Sequence, residues 1–232
     1  MAGGTSVFYS SNRGGTLNIY SRLANFSGEE TVILEGSARL ITGDVSAAGD
    51  QLVYERWLSP GASGVWRLPL TGDPSPEVVW EIADLPTRIN GPRFSPDGRF
   101  VAYSSNESGP ADVYVIELAT QVKTVVSAGG GFAPLWSPDG SEIFYSYRDG
   151  FYVADVLATE PEFVVDAPQL LFSLPQLRGG SPNDVTPDGQ LFLGVAPSLS
   201  DQDVANTEPY VPRITVVLNW FEELKQRVPT GR

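Results

Sequence analysis

The sequence contains no cysteine and no histidine among its 232 residues. Without cysteine no disulfide can form, and without either residue a zinc site loses its usual sulfur and nitrogen ligands. The absence of histidine also excludes a Ser–His–Asp triad, a Cys–His pair and an imidazole base. Reactions that depend on these groups are therefore excluded for this chain acting alone.

Basic residues and long apolar runs are also scarce. Fifteen Lys and Arg face 28 Asp and Glu, which gives a formal charge of −13. Because that charge repels phosphate backbones and anionic membrane surfaces, we expect no nucleic-acid partner. No apolar run reaches the roughly 18 residues of a membrane span, and no signal peptide is visible. These features leave the compartment, periplasmic or cytoplasmic, undecided.

Sequence motifs of further enzyme classes are missing. The His-Arg-Asp loop of protein kinases cannot exist without histidine, and no Gly-x-Ser-x-Gly elbow occurs. Gly129-Gly130-Gly131 lacks the Gly-Lys-Ser/Thr that would complete a phosphate-binding loop. We therefore predict no catalytic residue, no cofactor and no metal site.

What the sequence does contain is an internal repeat. Ser95-Pro96-Asp97-Gly98, followed by an apolar segment, recurs as Ser137-Pro138-Asp139-Gly140 and as Thr186-Pro187-Asp188-Gly189. A degenerate copy contains Gly49, and the chain opens inside another copy that contains Gly4. Each unit has the spacing of four short β-strands in about 45 residues, which is the length of a propeller blade.

The polar core of the repeat is typical of a tight turn. Proline fixes φ, aspartate tolerates the next position, and glycine adopts the left-handed conformation that closes the turn. We expect each turn to join the innermost strand of a blade to its neighbour, so the aspartates are turn formers rather than catalysts. The predicted structural turn residues are Asp97, Gly98, Asp139, Gly140, Asp188 and Gly189.

The repeat resembles the TolB-type, or WD40-like, β-propeller repeat. The pattern stands here as Phe94-Ser95-Pro96-Asp97-Gly98, then Tyr103-Ser104-Ser105, then Asp112-Val113-Tyr114. The resemblance implies an all-β propeller of four-stranded antiparallel blades, about five of them here. The predicted blades are residues 1–36, 37–83, 84–127, 128–174 and 175–218, followed by a short terminal helix over 219–228.

The tail from Ile214 to Lys225 resembles the C-terminal end of propellers attached to bacterial serine/threonine kinases and related multidomain proteins. Because the sequence has fewer than five full copies of the repeat, we expect the chain to be part of a larger propeller. A compact closure with five blades is the alternative.

Equivalent positions on the innermost strands, two residues before each turn motif, suggest a site. These positions are Asp44, Arg93, Leu135 and Asp184. We predict an ion pair between Asp44 and Arg93, because an unpaired buried charge is costly; the alternative is that these residues line the mouth of a ligand-binding channel. The candidate rim and ligand-binding residues are Asn90, Arg93, Phe132, Arg178, Asn183 and Asp184.

The predicted function is a non-enzymatic protein–protein interaction or ligand-sensing module of a larger bacterial protein. Its partner would be a protein or peptide, or a small ligand at the channel rim, because rigid propellers carry function on such loops. The alternative is a propeller domain that assists a hydrolase or lyase by gating substrate or through rim carboxylates.

Overall fold

The computed structural model of the protein describes residues 6–58, 62–83, 87–127, 129–148, 150–173, 182–189, 191–195 and 214–216. In these residues the chain forms five antiparallel sheets that follow one another in sequence. In this part of the chain we find no helix that is able to span a membrane. The predicted terminal helix, 219–228, lies outside the described residues. The all-β prediction is therefore confirmed.

Each sheet is one blade, numbered here in chain order. Blade 1 contains β1 (Ser6–Gly14), β2 (Thr16–Leu23) and β3 (Thr31–Leu34). Blade 2 contains β4 (Arg39–Val45), β5 (Gln51–Leu58), β6 (Ala62–Pro69) and β7 (Glu77–Ile82). Blade 3 contains β8 (Ile89–Phe94), β9 (Phe100–Ser105), β10 (Asp112–Glu117) and β11 (Lys123–Val125).

Blade 4 departs from the prediction of four strands per blade, whereas blades 1 and 5 each have three strands in the described part of the chain. Blade 4 contains β12 (Phe132–Trp136), β13 (Glu142–Tyr147), β14 (Gly150–Ala158), β15 (Val164–Val165) and β16 (Gln169–Ser173). Blade 5 has three described strands, β17 (Pro182–Val185), β18 (Phe192–Val195) and β19 (Ile214–Val216). In blade 4 the edge of β14 is long enough to pair with two short strands, β15 at one end and β16 at the other.

The repeated turns connect the first two strands of blades 2 to 5. In the turn of blade 3, Asp97 Oδ1 accepts hydrogen bonds from Ser95 Oγ at 2.5 Å and from the Arg99 N–H at 3.1 Å. Ser95 Oγ in turn accepts from the Phe100 N–H at 2.9 Å. The turn glycines all have positive φ, namely Gly49, Gly98, Gly140 and Gly189. The aspartate thus holds the turn that fixes the register of the hairpin.

The core lies between blades, and the strand after each turn decides which side chains enter it. Along β9, Val101 and Tyr103 pack against Val53 and Val65 of blade 2. The residue between them, Ala102, points to the opposite face and packs against Ile143 of blade 4. Because side chains alternate along a strand, blade 3 buries one face on blade 2 and the other on blade 4.

Candidate functional site

The innermost strand of each of blades 2 to 5 has a β-bulge at the same place. The register shifts between Thr42 and Asp44 in β4 and between Asn90 and Arg93 in β8, and equivalent shifts occur in β12 and β17. Two of these bulges contain a residue with left-handed φ, Gly91 at 61° and its equivalent Ala133 at 53°. A bulge turns the following side chain out of the regular pleat. The four equivalent positions of the repeat therefore each lie at the end of a bulge, namely Asp44, Arg93, Leu135 and Asp184.

Arg93 connects blades that are not neighbours in sequence. Its Nη1 donates to the carbonyl of Gly43 in blade 2 at 3.1 Å, and its Nη2 donates to the carbonyl of Asn183 in blade 5 at 3.1 Å. Its own carbonyl accepts a hydrogen bond from Trp136 Nε1 of blade 4 at 3.3 Å. One residue of blade 3 thus contacts three other blades at the propeller axis.

Asp44 lies beside this guanidinium without a direct hydrogen bond to it. The distance from Asp44 Oδ1 to Arg93 Nη1 is 4.0 Å, and both side chains are about one-third exposed. The carboxylate accepts backbone hydrogen bonds instead, from Val45 at 2.9 Å and from Phe94 of blade 3 at 3.1 Å. The structure brings the two predicted partners together, but their hydrogen bonds go to the backbone.

The pKa of Asp44 is raised above its ordinary value. Burial is the main cause because it disfavours the charged carboxylate, and the nearby charge of Asp184 acts in the same direction. The positive charge of Arg93 and the two backbone N–H groups oppose the shift. Asp44, Arg93 and Asp184 therefore form one electrostatic cluster at the axis, which we call the axial cluster.

A second set of polar contacts joins successive blades close to the bulges. Ser10 Oγ of β1 accepts from the Thr42 N–H of blade 2 at 2.8 Å. Glu55, at the equivalent place in β5, accepts from the Gly91 N–H of blade 3 at 2.8 Å. Its other oxygen accepts from Trp57 Nε1 at 3.0 Å. A side chain on the second strand thus holds the bulge of the next blade.

Sequence reasoning missed Glu55. Its side chain is almost completely buried, and burial raises the pKa of its carboxyl group. The repeat could have identified Glu55, because the equivalent positions of the other copies hold serine, namely Ser10, Ser104 and Ser146. The Ser146 hydroxyl has no hydrogen-bond partner in the described part of the chain. The equivalent bulge residue of blade 5 is Pro182, which has no N–H to donate.

The predicted rim residues differ in exposure. Asn90, Asn183 and Asp184 are exposed, whereas Phe132 is half-buried. Leu135, the apolar member of the four equivalent positions, is buried. Arg178 lies outside the described residues. The rim thus presents an amide, a carboxylate and part of a guanidinium close to the axis.

The rim combines hydrogen-bond donors, acceptors and charges of both signs. In the portions of the chain that the structure describes, no three acidic side chains are grouped as metal ligands would be. Amide, carboxylate and guanidinium groups are together complementary to the N–H, C=O and charged groups of a peptide. Their backbones are fixed by strands and bulges, so little ordering is needed on binding.

Comparison with known proteins gives a consistent result for the fold. No family model matches the chain. The Tol-Pal system protein TolB of Francisella tularensis subsp. mediasiatica (strain FSC147) is 38% identical to it over 76 residues, which are 32% of this chain and 17% of that protein. TolB of Francisella tularensis subsp. tularensis (strain FSC 198) matches equally well. The matched region thus spans less than one-fifth of the length of these curated relatives.

Solved structures extend the similarity to most of the chain. TolB from Acinetobacter baumannii superposes with a TM-score of 0.63 at 15% identity, covering 82% of this chain and 46% of that one. Putative TolB from Agrobacterium tumefaciens gives 0.58 at 17% identity, covering 73% and 61%. A puromycin-hydrolyzing peptidase of Mycobacterium tuberculosis also gives 0.58 at 17% identity, covering 85% and 34%. The chain is therefore a TolB-type β-propeller in fold.

Proposed function

We propose that the chain is a non-enzymatic interaction module of a larger bacterial protein, and that it binds a protein or peptide at the rim around the axial cluster. The observation that carries the proposal is the position of Arg93, whose guanidinium lies between carbonyls of blades 2 and 5 while remaining about one-third exposed. A partly exposed cation with a fixed position can recognise a carbonyl or carboxylate of a partner.

The surrounding groups support a peptide rather than an isolated anion. Asp44 and Asp184 place negative charge beside Arg93, which disfavours a ligand that carries only negative charge. Asn90 and Asn183 add exposed amide groups that can both donate and accept. A segment with alternating donors and acceptors matches this mixture.

Site-specific photo-crosslinking tests the proposal. A benzophenone amino acid placed at Asn90, on the rim, should give a discrete protein adduct in cells of the bacterium that makes the protein. The same probe at Val122, which is 59% exposed in the connection between β10 and β11, serves as the matched control. Identical adducts from both positions, or none from Asn90, would contradict a binding rim.

Competition shows whether the adduct depends on the axial cluster. An excess of the unmodified chain should suppress the adduct from Asn90, whereas an excess of the Asp184→Ala variant should suppress it less. Asp184 suits this test because its side chain is exposed and, among the described residues, its carboxylate accepts a hydrogen bond from the neighbouring Val185 N–H. Equal suppression by both proteins would place the contact elsewhere.

The alternative, a propeller that assists a hydrolase or lyase, rests on the same carboxylates. The raised pKa of Asp44 next to the charge of Asp184 is the arrangement that favours acid–base work by a carboxyl pair. In that case Asp184→Asn would lower turnover by the associated enzyme about 100-fold or more. Crosslinking from Asn90 would then be unchanged, which separates the two functions.

A further inference from the structure

The chain contains a single Asn-Gly sequence, Asn90-Gly91, and it lies on the rim of the propeller. In such a pair the backbone nitrogen of the glycine can attack the side-chain amide of the asparagine, because glycine has no Cβ to obstruct the approach. The Asn90 side chain is exposed, so water can reach it and ammonia can leave. Asn90 therefore has both the sequence and the exposure of a deamidation site.

The bulge in β8 removes the Gly91 nitrogen from the regular strand pairing. The register between β8 and β9 shifts between Asn90 and Arg93, and Gly91 has a left-handed φ of 61°. In a regular ladder the N–H would donate to a carbonyl, which does not accept its proton. Here the Gly91 N–H donates to Glu55 Oε1 of blade 2 at 2.8 Å instead. The attacking nitrogen is thus bonded to a carboxylate.

Glu55 has the position and the environment of a base for this nitrogen. A general base must lie within hydrogen-bond distance of the proton that it removes, and the 2.8 Å contact meets that condition. Trp57 Nε1 donates to the other oxygen of the carboxylate at 3.0 Å and so fixes its direction. The Glu55 side chain is 6% exposed, and burial raises its pKa, which makes the carboxylate a stronger base.

We propose that Asn90 is a site of self-modification, at which Glu55 acts as the catalytic base for deamidation. Glu55 takes the proton of the Gly91 nitrogen, which bonds to the Cγ atom of Asn90. The bond between Cγ and Nδ2 then breaks, and the proton held by Glu55 leaves with Nδ2 as ammonia. Water opens the resulting succinimide at either of its carbonyl carbons, which gives aspartate or isoaspartate. Water is the only co-reactant.

The products differ from asparagine in charge and in backbone length. Both replace a neutral amide with a carboxylate on the same strand as Arg93, and isoaspartate also adds a methylene group to the backbone at the bulge. The rim therefore becomes more negative as the molecule ages. The chemical step is independent of the function proposed for the rim, and only its effect on a partner rests on that function.

Mass spectrometry of the isolated 232-residue chain tests the proposal. Trypsin releases residues 89–93, because Arg88 precedes this segment and Arg93 ends it. The folded chain is kept at mildly alkaline pH, and the asparagine, aspartate and isoaspartate forms of the peptide are separated and quantified over time. Digestion in water enriched in heavy oxygen marks any conversion that occurs after unfolding.

Glu55→Gln separates the base from the hydrogen bond. Glutamine keeps the shape of the side chain and an acceptor oxygen but cannot take the proton, so conversion of Asn90 should be at least about 100-fold slower. Glu55→Ser, which introduces the residue found in the other copies of the repeat, should slow conversion similarly. A loosened bulge would speed the reaction, so slower conversion cannot be attributed to a loss of structure.

Gly91→Ala is the matched variant for the attacking nitrogen. The fold accommodates alanine here, because Ala133 occupies the equivalent position with a φ of 53°, and a Cβ at Gly91 would meet no atom beyond its chain neighbours closer than 3.9 Å. The added methyl group obstructs the attack, so this variant should keep the fold and lose most of the conversion. Asn25, which is exposed and followed by phenylalanine, is the internal control and should remain an amide.

Other results would overturn the proposal. Unchanged or faster conversion in Glu55→Gln would show that Glu55 only holds the bulge. Conversion of Asn25 at the rate of Asn90 would show that exposure alone decides the reaction. An Asn90 that remains an amide throughout would show that the fold protects this pair instead of activating it.

Discussion

Two regions of each blade interface differ in chemistry. The middle of the interface is apolar, as between blades 3 and 4, where Phe100 packs on Trp136 and Phe163. The end at the axis is polar, with Arg93, Asp44 and Glu55 joined to backbone groups of neighbouring blades. Burial of apolar area supplies most of the stability, whereas polar contacts mainly fix position. The axial end is therefore the region in which sequence can change without loss of the fold.

The largest effect should follow a change in the apolar region. Phe100 is 2% exposed, so Phe100→Ala should lower the free energy of unfolding by about 3–5 kcal/mol, because it removes apolar contacts and leaves a cavity. Denaturant unfolding measures the loss. Val122→Ala, at a position 59% exposed, is the control and should cost less than about 0.5 kcal/mol. Similar losses of unfolding free energy for Phe100→Ala and Val122→Ala would show that the apolar middle of the interface is not the main source of stability.

A smaller effect is expected at the axis. Arg93→Ala removes two charge-assisted hydrogen bonds and should cost about 1.5–3 kcal/mol. Arg67 is the matched control, because its side chain is as exposed as that of Arg93, at 31%, and it pairs with Glu77, which is 49% exposed. Arg67→Ala should cost less than about 1 kcal/mol in the same unfolding experiment. A larger loss of stability for Arg67→Ala than for Arg93→Ala would mean that the hydrogen bonds of Arg93 do not stabilise the contact between blades at the axis.

A polar atom within the apolar region gives a prediction of opposite sign. Tyr103 is fully buried, and its hydroxyl has no hydrogen-bond partner among the described residues. Tyr103→Phe should therefore raise the free energy of unfolding by about 1 kcal/mol. Tyr114, its stacked neighbour, bonds Ser108 at 3.0 Å, so Tyr114→Phe should lower stability by a similar amount. Thermal unfolding of both variants distinguishes these outcomes.

The smallest effect concerns pH and separates the axial aspartate from a turn aspartate. The pKa of Asp44 is raised in the folded chain, so its stabilising contribution is complete below the ordinary value of about 3.9 and is lost as pH rises through the folded pKa. Stability of the natural chain should therefore fall relative to Asp44→Asn across this range. Carboxyl NMR titration of Asp44 should give a midpoint above the ordinary value.

Asp139 is the control, because its pKa is shifted in the other direction. Hydrogen bonds from Ser141 and Ser137 lower the pKa of this turn carboxyl to about 2. Its contribution is present above the ordinary pKa and is lost as pH falls toward 2. A raised midpoint for Asp139, or a lowered one for Asp44, would show that the two environments have been interpreted wrongly.

Much of the fold could be predicted from the sequence because its signals are local. A Ser-Pro-Asp-Gly turn needs particular residue types at fixed places, so its repetition indicates repeated hairpins. The approach of Asp44 to Arg93 follows from equivalent positions on neighbouring strands. The contact between Arg93 and Asn183 was not predictable, because it depends on how sharply the blades curve around the axis. Blade 4 has two short outer strands, β15 and β16, because β14 is long enough to pair with both. The repeat does not specify the length of β14, so this feature could not be predicted.

The hydrogen bond from Trp136 to the Arg93 carbonyl has an optical consequence. The emission of an indole depends on the polarity and hydrogen bonding around its ring nitrogen, and Trp136 is 8% exposed. A molecule that draws the Arg93 backbone toward it changes this environment without touching the ring. The chain thus contains its own fluorescence reporter for occupancy of the axis, with Trp136→Phe to identify the signal among its five tryptophans.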